Sequence, residues 1–222
     1  TIRNSILNSC KMKMQIYRNR RKDIKPTMEG QNKSLFQLFV PLCLETIFYM
    51  LSGMVDTLML SSVGDQAVGA VGTANTYIGV FIIMYSVVSM GMLAVMTQNI
   101  GAGRPGIACQ AKTLGLWFNG ILGVVMSVFL FFCSDGILYV VGIAPALKEP
   151  AVQYLRIVGG GSILNAMIPI LAGYLRAFGY TKQPLIATVT GNILNFILNA
   201  VFLFHFHLGV QGVASATVIS KV

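Results

Sequence analysis

From about residue 35 onward, long apolar runs alternate with short polar breaks. The runs cover about 35–60, 67–100, 107–133, 151–178, 184–206 and 210–222. A helix needs roughly 18 or more apolar residues to cross a bilayer. The first five runs meet that length; the sixth is predicted to be an incomplete span, cut at Val222. Gly64 and Asp65, the Gly101–Gly106 stretch and Gly209 mark turns. A longer loop is predicted around Asp135, Pro145, Lys148, Glu149 and Pro150. Within the fourth run, Gly159-Gly160-Gly161 and Pro169 predict a weakened or kinked helix. The predicted fold is all-α, a polytopic membrane protein, with a basic tail over 1–33 and a transmembrane lobe over 34–222.

Composition supports that class. Hydrophobic residues make up 55% of the 222, and charged residues only 10%, against about 25% charged in soluble domains. A disordered chain is excluded on that balance, and a water-soluble enzyme is disfavoured. The net charge of +9 is unevenly spread, since nine of the 16 Lys and Arg precede residue 34. Such a run can attract nucleic acid or anionic lipid. Running straight into an apolar span, it reads better as a cytoplasmic tail that sets topology. Arg104 and Lys112 flank the break after the second run, and Arg176 and Lys182 the break after the fourth. Those breaks are expected on the cytoplasmic side, with the N-terminus inside, odd spans running outward and the chain multi-pass in the plasma membrane.

The first residue is Thr1, and Met28, close before the first span, is a candidate natural start. No secretory signal is expected, because the first run is too long and lacks cleavage chemistry. Ile2, Ile6, Cys10 and Met14 recur every four residues, the pattern of a short interfacial helix. Cys10, Cys43, Cys109 and Cys133 form no CxxC pair and are expected to be packing residues, without disulfide or metal. Gly101, Gly103 and Gly106 match G-x-G-x-x-G, but Pro105 and two apolar flanks make a tight turn there, not a dinucleotide loop.

Polar residues inside the apolar runs carry the functional signal, because ionisable groups at mid-membrane are costly and normally face a cavity or a partner. Glu45, Tyr49, Ser52 and Asp56 fall on one face of the first span. Thr188, Asn192, Asn195 and Asn199 repeat the same spacing in the fifth. Two such stripes predict two helices lining one wet cleft; helix–helix hydrogen bonding alone is the competing account. The carboxylates favour the cleft. Asp56 and Asn199 each lie 15 residues beyond a proline, Pro41 and Pro184, in spans of the same direction. Tyr154 and Thr217 each follow an outer loop, so all four fall at similar depth. Such an oxygen-rich set suits a hard cation such as Na⁺, and a buried carboxyl can also exchange a proton. Arg104, Arg156, Arg176 and Lys182 fall toward span ends, which leaves the predicted cleft anionic.

The order of local motifs resembles the MATE family of multidrug and toxic compound extrusion transporters. It runs Pro41, Glu45, Val55-Asp56-Thr57, Gly64, Ala70-Val71-Gly72, Gln98-Asn99-Ile100-Gly101-Ala102-Gly103, Leu175-Arg176-Ala177-Phe178-Gly179, Gly191-Asn192-Ile193-Leu194-Asn195, and Gly209-Val210 through Gly212-Val213-Ala214 to Ala216-Thr217. The resemblance implies twelve helices in two six-helix lobes, of which this chain is the N-terminal one with its sixth helix truncated. It implies a secondary antiporter, not an enzyme, that exports cationic amphipathic compounds in exchange for H⁺ or Na⁺ and needs no cofactor. The missing C-terminal lobe and the bilayer are then its partners, with no nucleic acid. By the same resemblance Asp56, Asn195, Asn199, Thr217 and Tyr154 form the cation-coupling set. Glu45, Tyr49, Ser52, Thr188 and Asn192 line the substrate cavity. One departure stands out: Asn199 occupies a position where the best-defined members of the family carry Asp, so a carboxylate is lost and tight Na⁺ binding in this lobe is put in doubt. A lipid-linked oligosaccharide flippase of the same superfamily is the alternative, disfavoured because a pyrophosphate needs cavity cations. Neither HExxH nor GxSxG is present for an intramembrane enzyme. His205 and His207 read as interface residues before a metal pair.

Overall fold

The computed structural model describes residues 35–222. The predicted tail over 1–33, its interfacial pattern and Cys10 lie outside the described residues. The described chain is helical throughout: α1 Leu35–Ser61, α2 Asp65–Gly101, α3 Pro105–Val141, α4 Pro145–Gly160, α5 Ser162–Ala177, α6 Lys182–Ala200 and α7 Gly209–Ile219. A π-helical turn, Val201–His205, extends α6. Four helices are long and apolar enough to cross a membrane, or five if the bent pair α4 and α5 is one span. The sixth apolar run forms the shorter α7.

The predicted loop around Asp135 to Pro150 is not a loop. α3 continues through Ser134 and Asp135 to Val141, and α4 already begins at Pro145. The connection shrinks to residues 142–144. Gly142 takes a left-handed φ of 73° and closes α3, its amide bonding back to Leu138 and Tyr139. Pro145 occupies the opening of α4, where a missing N–H costs nothing. Asp135 pairs with Arg156 of α4, so the polar residues that resemble a loop in sequence instead join two helix ends.

The fourth run breaks as its glycines predict. α4 and α5 meet at Gly161 with a 44° bend, while Pro169 sits inside α5 without ending it. The two halves can therefore contact different neighbours: α4 packs on α2, α3 and α7, and α5 on α2 and α3. α1 packs chiefly on α6, apart from the α2–α5 group, and α7 lies between α4 and α6. The interior is built from small side chains. Ala70, Ala74, Ala108, Ala151, Ala166, Ala214 and Ala216 are almost wholly enclosed, while Phe132, Tyr139 and Val140 stay exposed. Close helix approach through small residues, with large apolar groups outward, is the membrane pattern.

The α2–α5 group also holds a polar tie. Asn119 of α3 is fully buried, and its amide donates to Tyr85 O (3.3 Å) and Ser89 Oγ (3.2 Å) of α2 and to Ala166 O (3.0 Å) of α5. The expectation for the cysteines fails at one position. Cys109 is disulfide-bonded, whereas Cys43 and Cys133 are free. Spacing along the chain cannot show which sulfurs the fold brings within bonding distance.

Candidate functional site

The two predicted polar stripes meet. α1 and α6 lie side by side, and Asn199 Nδ2 donates to Asp56 Oδ1 at 2.6 Å. The same amide reaches Asn195 Oδ1, one turn earlier, at 3.2 Å. Asn199 is fully buried and Asn195 nearly so. A bond to an ionised acceptor is about twice as strong as a neutral one, so this contact fixes both the acid and the amide pair. Asn199 Oδ1 is buried without a hydrogen-bond partner. A lone amide oxygen beside a carboxylate is a ready cation ligand or hydrogen-bond acceptor.

Tyr154 of α4 is enclosed and joins the cluster from the other side. Its side chain interacts with those of Asn75 in α2 and Thr217 in α7, and it feels the charge of Asp56. Thr217 also donates to Val213 O within its own helix at 2.8 Å. Five helices, α1, α2, α4, α6 and α7, thus converge on one small polar cluster. Residues 56, 154, 195, 199 and 217 are brought together; sequence pattern does not flag Asn75. A single amide in a long apolar run has no periodic partner to mark it, and only its being out of place in such a run hints at it.

The deeper half of the stripe does something different. Glu45 Oε1 accepts from the Arg176 guanidinium at 2.6 Å, with 19% and 27% of the two side chains exposed. Arg176 stands in the last turn of α5, as its position predicts, and its side chain reaches Glu45 of α1. Glu45 Oε2 and Arg176 Nε remain buried without partners. Asn192 donates to Phe48 O at 2.8 Å and so ties α6 to α1. Tyr49 is well exposed, and Ser52 and Thr188 are half-buried on the same faces.

Lys221 changes the charge of the cleft again. Just past α7, its ammonium donates to Asn165 Oδ1 of α5 at 2.9 Å and interacts electrostatically with Asp56. The expectation of an anionic cleft is thereby corrected. Glu45 is paired with Arg176, so this carboxylate does not leave its part of the cleft anionic. A hollow of about 660 Å³ opens elsewhere, beside Phe36, Val40, Pro41, Tyr180 and Lys182. That is 15 residues, about 22 Å, back along α1 from Asp56.

The chain is similar to known proteins in sequence and fold. The MatE family model matches residues 41–201. The chain is 34% identical over 193 residues to the uncharacterized transporter YisQ of Bacillus subtilis, across 85% of this chain and 42% of that protein. It is 29% identical over 197 residues to the probable multidrug resistance protein NorM of Thermotoga maritima, again across 85% and 42%. Among solved structures, an outward-facing multidrug resistance MATE transporter of the MOP superfamily superposes with a TM-score of 0.78. Identity there is 25%, over 83% of this chain and 41% of that one. The chain thus spans about two fifths of the length of the relatives it matches.

Proposed function

This chain belongs to the MatE family, and on that premise we propose that it forms one lobe of a secondary antiporter that exports cationic amphipathic compounds in exchange for H⁺ or Na⁺. The observation that carries the reading is Asp56 held by Asn199 inside a five-helix polar cluster. A carboxylate placed so can bind and release a cation or a proton, and structural glue needs no such group. Each side chain has a part. Asp56 takes the coupling ion. Asn199 and Asn195 hold it in register with α6, and Tyr154 and Thr217 bring α4 and α7 to the same point. A change of charge at Asp56 then alters the attraction between α1, α6 and α7 together. One charge moved through 100 mV supplies about 2.3 kcal/mol, enough for a modest substrate gradient. The bend at Gly161 gives the lobe a place to flex as its access alternates.

The remaining length of the relatives supports a second lobe in the working transporter, with substrate held between the two. Glu45, Tyr49, Ser52, Thr188 and Asn192 would face it. Basic breaks on one side support a cytoplasmic N-terminus in the plasma membrane. The oligosaccharide-flippase alternative gains little from the interior Arg176, because Glu45 already neutralises it. The decisive experiment is Asp56→Asn in the full natural transporter, assayed for gradient-driven dye efflux in vesicles. Efflux should vanish while the protein level in the membrane is unchanged. Undiminished efflux would remove Asp56 from the mechanism.

A further inference from the structure

We infer that the hollow between the start of α1 and the α5–α6 turn binds a phosphate-bearing amphiphile, the headgroup of an anionic phospholipid. The site is separate from the cluster around Asp56 and goes beyond the exchange of an ion there.

The first argument is the chemistry of the walls. The hollow holds about 660 Å³, within the roughly 300–1,000 Å³ of small-molecule sites. Phe36, Val40 and Pro41 of α1 form an apolar wall. The turn from Gly179 into α6 forms the other, and it presents donors. Lys182 is the ionised side chain among the described lining residues, and no carboxylate is among them. It opens α6, so its ammonium lies beside first-turn amides that have no partner within the helix. Thr181, the N-cap, is only 7% exposed, yet its side chain does not cap the helix. Its hydroxyl is unspent among the described residues, and a buried hydroxyl without a partner is costly. An ammonium, free amides and a hydroxyl on one wall together suit a phosphate.

The second argument is construction. Gly179 takes a left-handed φ of 81°. The amides of Gly179 and Tyr180 bond back to Arg176 O and Leu175 O, both at 2.9 Å. The turn that carries Thr181 and Lys182 is thus held in place before any ligand arrives. Glu45, one turn past Pro41 on α1, is already paired with Arg176, so it does not repel an anion. Arg176 Nε, three residues before Gly179, is a further buried donor without a partner. Nine Lys and Arg precede residue 34. A chain so basic is a poor occupant for a hollow that already holds Lys182. A soluble phosphate would use only the donor wall. The apolar wall gives an acyl chain its place, and Tyr180, half-exposed beside it, suits a membrane interface. The basic breaks put this end on the side expected to face the cytoplasm, where the leaflet carries anionic lipid.

The test titrates the detergent-purified full natural transporter with short-chain phosphatidylglycerol, short-chain phosphatidylcholine and glycerol 3-phosphate. Phosphatidylglycerol should bind roughly five-fold more tightly than phosphatidylcholine, the scale of one lysine at a lipid surface. It should bind roughly ten-fold more tightly than glycerol 3-phosphate, because only the lipid meets the apolar wall. Lys182→Gln should abolish the preference for phosphatidylglycerol, and Lys182→Arg should keep it. Thr181→Val should weaken phosphatidylglycerol roughly two-fold. Lys182 is exposed, so its variants keep the fold even if Thr181→Val does not. Arg104 is an exposed cation of the same side outside the hollow, and Arg104→Gln should change nothing. A preference that survives Lys182→Gln overturns the proposal, as does an equal loss in Arg104→Gln. Equal affinity for phosphatidylglycerol and glycerol 3-phosphate overturns the lipid and leaves the donor wall to a soluble phosphate. Asp56→Asn should bind phosphatidylglycerol as wild type does, so failure of the antiport reading would show in dye efflux and not here.

Discussion

Two buried asparagines, each on its own helix, do opposite jobs. Asn119 donates to two backbone carbonyls and a hydroxyl, and so joins α2, α3 and α5. Asn199 donates to a carboxylate and a neighbouring amide, and so joins α1 and α6. Both are fully buried, and both keep one oxygen without a partner. The difference lies in the acceptor. A carbonyl keeps its charge in every state of the protein, so the Asn119 contact is permanent. A carboxylate can gain a proton or a cation, so the strength of the Asn199 contact varies with occupancy. Residue type and burial alone do not separate scaffold from switch; the chemistry of the partner does.

The largest expected effect falls on the scaffold side. A Cβ on Gly123, one turn beyond Asn119, would lie 2.9 Å from Ile163 Cα and 2.9 Å from Ala166 Cβ. Backbone cannot yield there as a flexible side chain could. Gly123→Val should therefore cost about 1–3 kcal/mol or more by overpacking, seen as a lower thermal midpoint in detergent and less folded protein in the membrane. An unchanged midpoint would mean that α3 and α5 are not locked at this point.

The next experiment sets the two asparagines directly against each other. Asn119→Ala should lose about 1–2 kcal/mol of stability, the scale of hydrogen bonds between membrane helices. Efflux per folded molecule should stay near normal. Asn199→Ala should do the reverse, with efflux falling at least ten-fold and the thermal midpoint moving less than for Asn119→Ala. If both variants lose stability and activity in parallel, the distinction between tie and switch fails.

The same contrast explains what could be read from sequence. The α1 and α6 stripes were legible because four polar residues at helical spacing leave no other regular account, and the fold joins them at Asp56 and Asn199. The helical ends between Ser134 and Pro150, of α3 and α4, were not legible. Asp135, Pro145, Glu149 and Pro150 are individually breakers or polar residues, and only their positions within the helices make them compatible. Lys221 was hidden for a related reason. A lone lysine after an apolar run has no periodic partner to mark it, and its contact with Asn165 of α5 is made only in the fold. Asn75 has the same problem. Patterns reveal stripes; single polar residues need the neighbours that only the fold supplies.

The Glu45–Arg176 pair lies between scaffold and switch. It joins α1 to the end of α5, and both side chains keep some solvent contact. Glu45→Gln alone should cost about 1–2 kcal/mol, less than the about 3–5 of breaking a fully buried pair, because solvent screens what remains. Restoring balance with Glu45→Gln and Arg176→Gln together should recover part of that loss. A double variant as unstable as the sum of the singles would show that the two groups act independently.

The smallest effect is expected at Asp135, and it checks whether any acid in these helices would behave like Asp56. Asp135 also pairs with a cation on another helix, Arg156, which bonds Ser134 as well at 3.1 Å. Yet about half of each side chain is exposed, 51% for Asp135 and 45% for Arg156. Water or headgroups can replace either partner, so exposed pairs of this kind contribute only about 0–1 kcal/mol. Asp135→Asn should leave both efflux and the thermal midpoint close to wild type, while Asp56→Asn stops efflux. The two substitutions remove the same charge by the same chemistry and differ only in what surrounds it. If Asp135→Asn also stopped export, enclosure among α1, α4, α6 and α7 could not be the property that makes Asp56 the coupling acid.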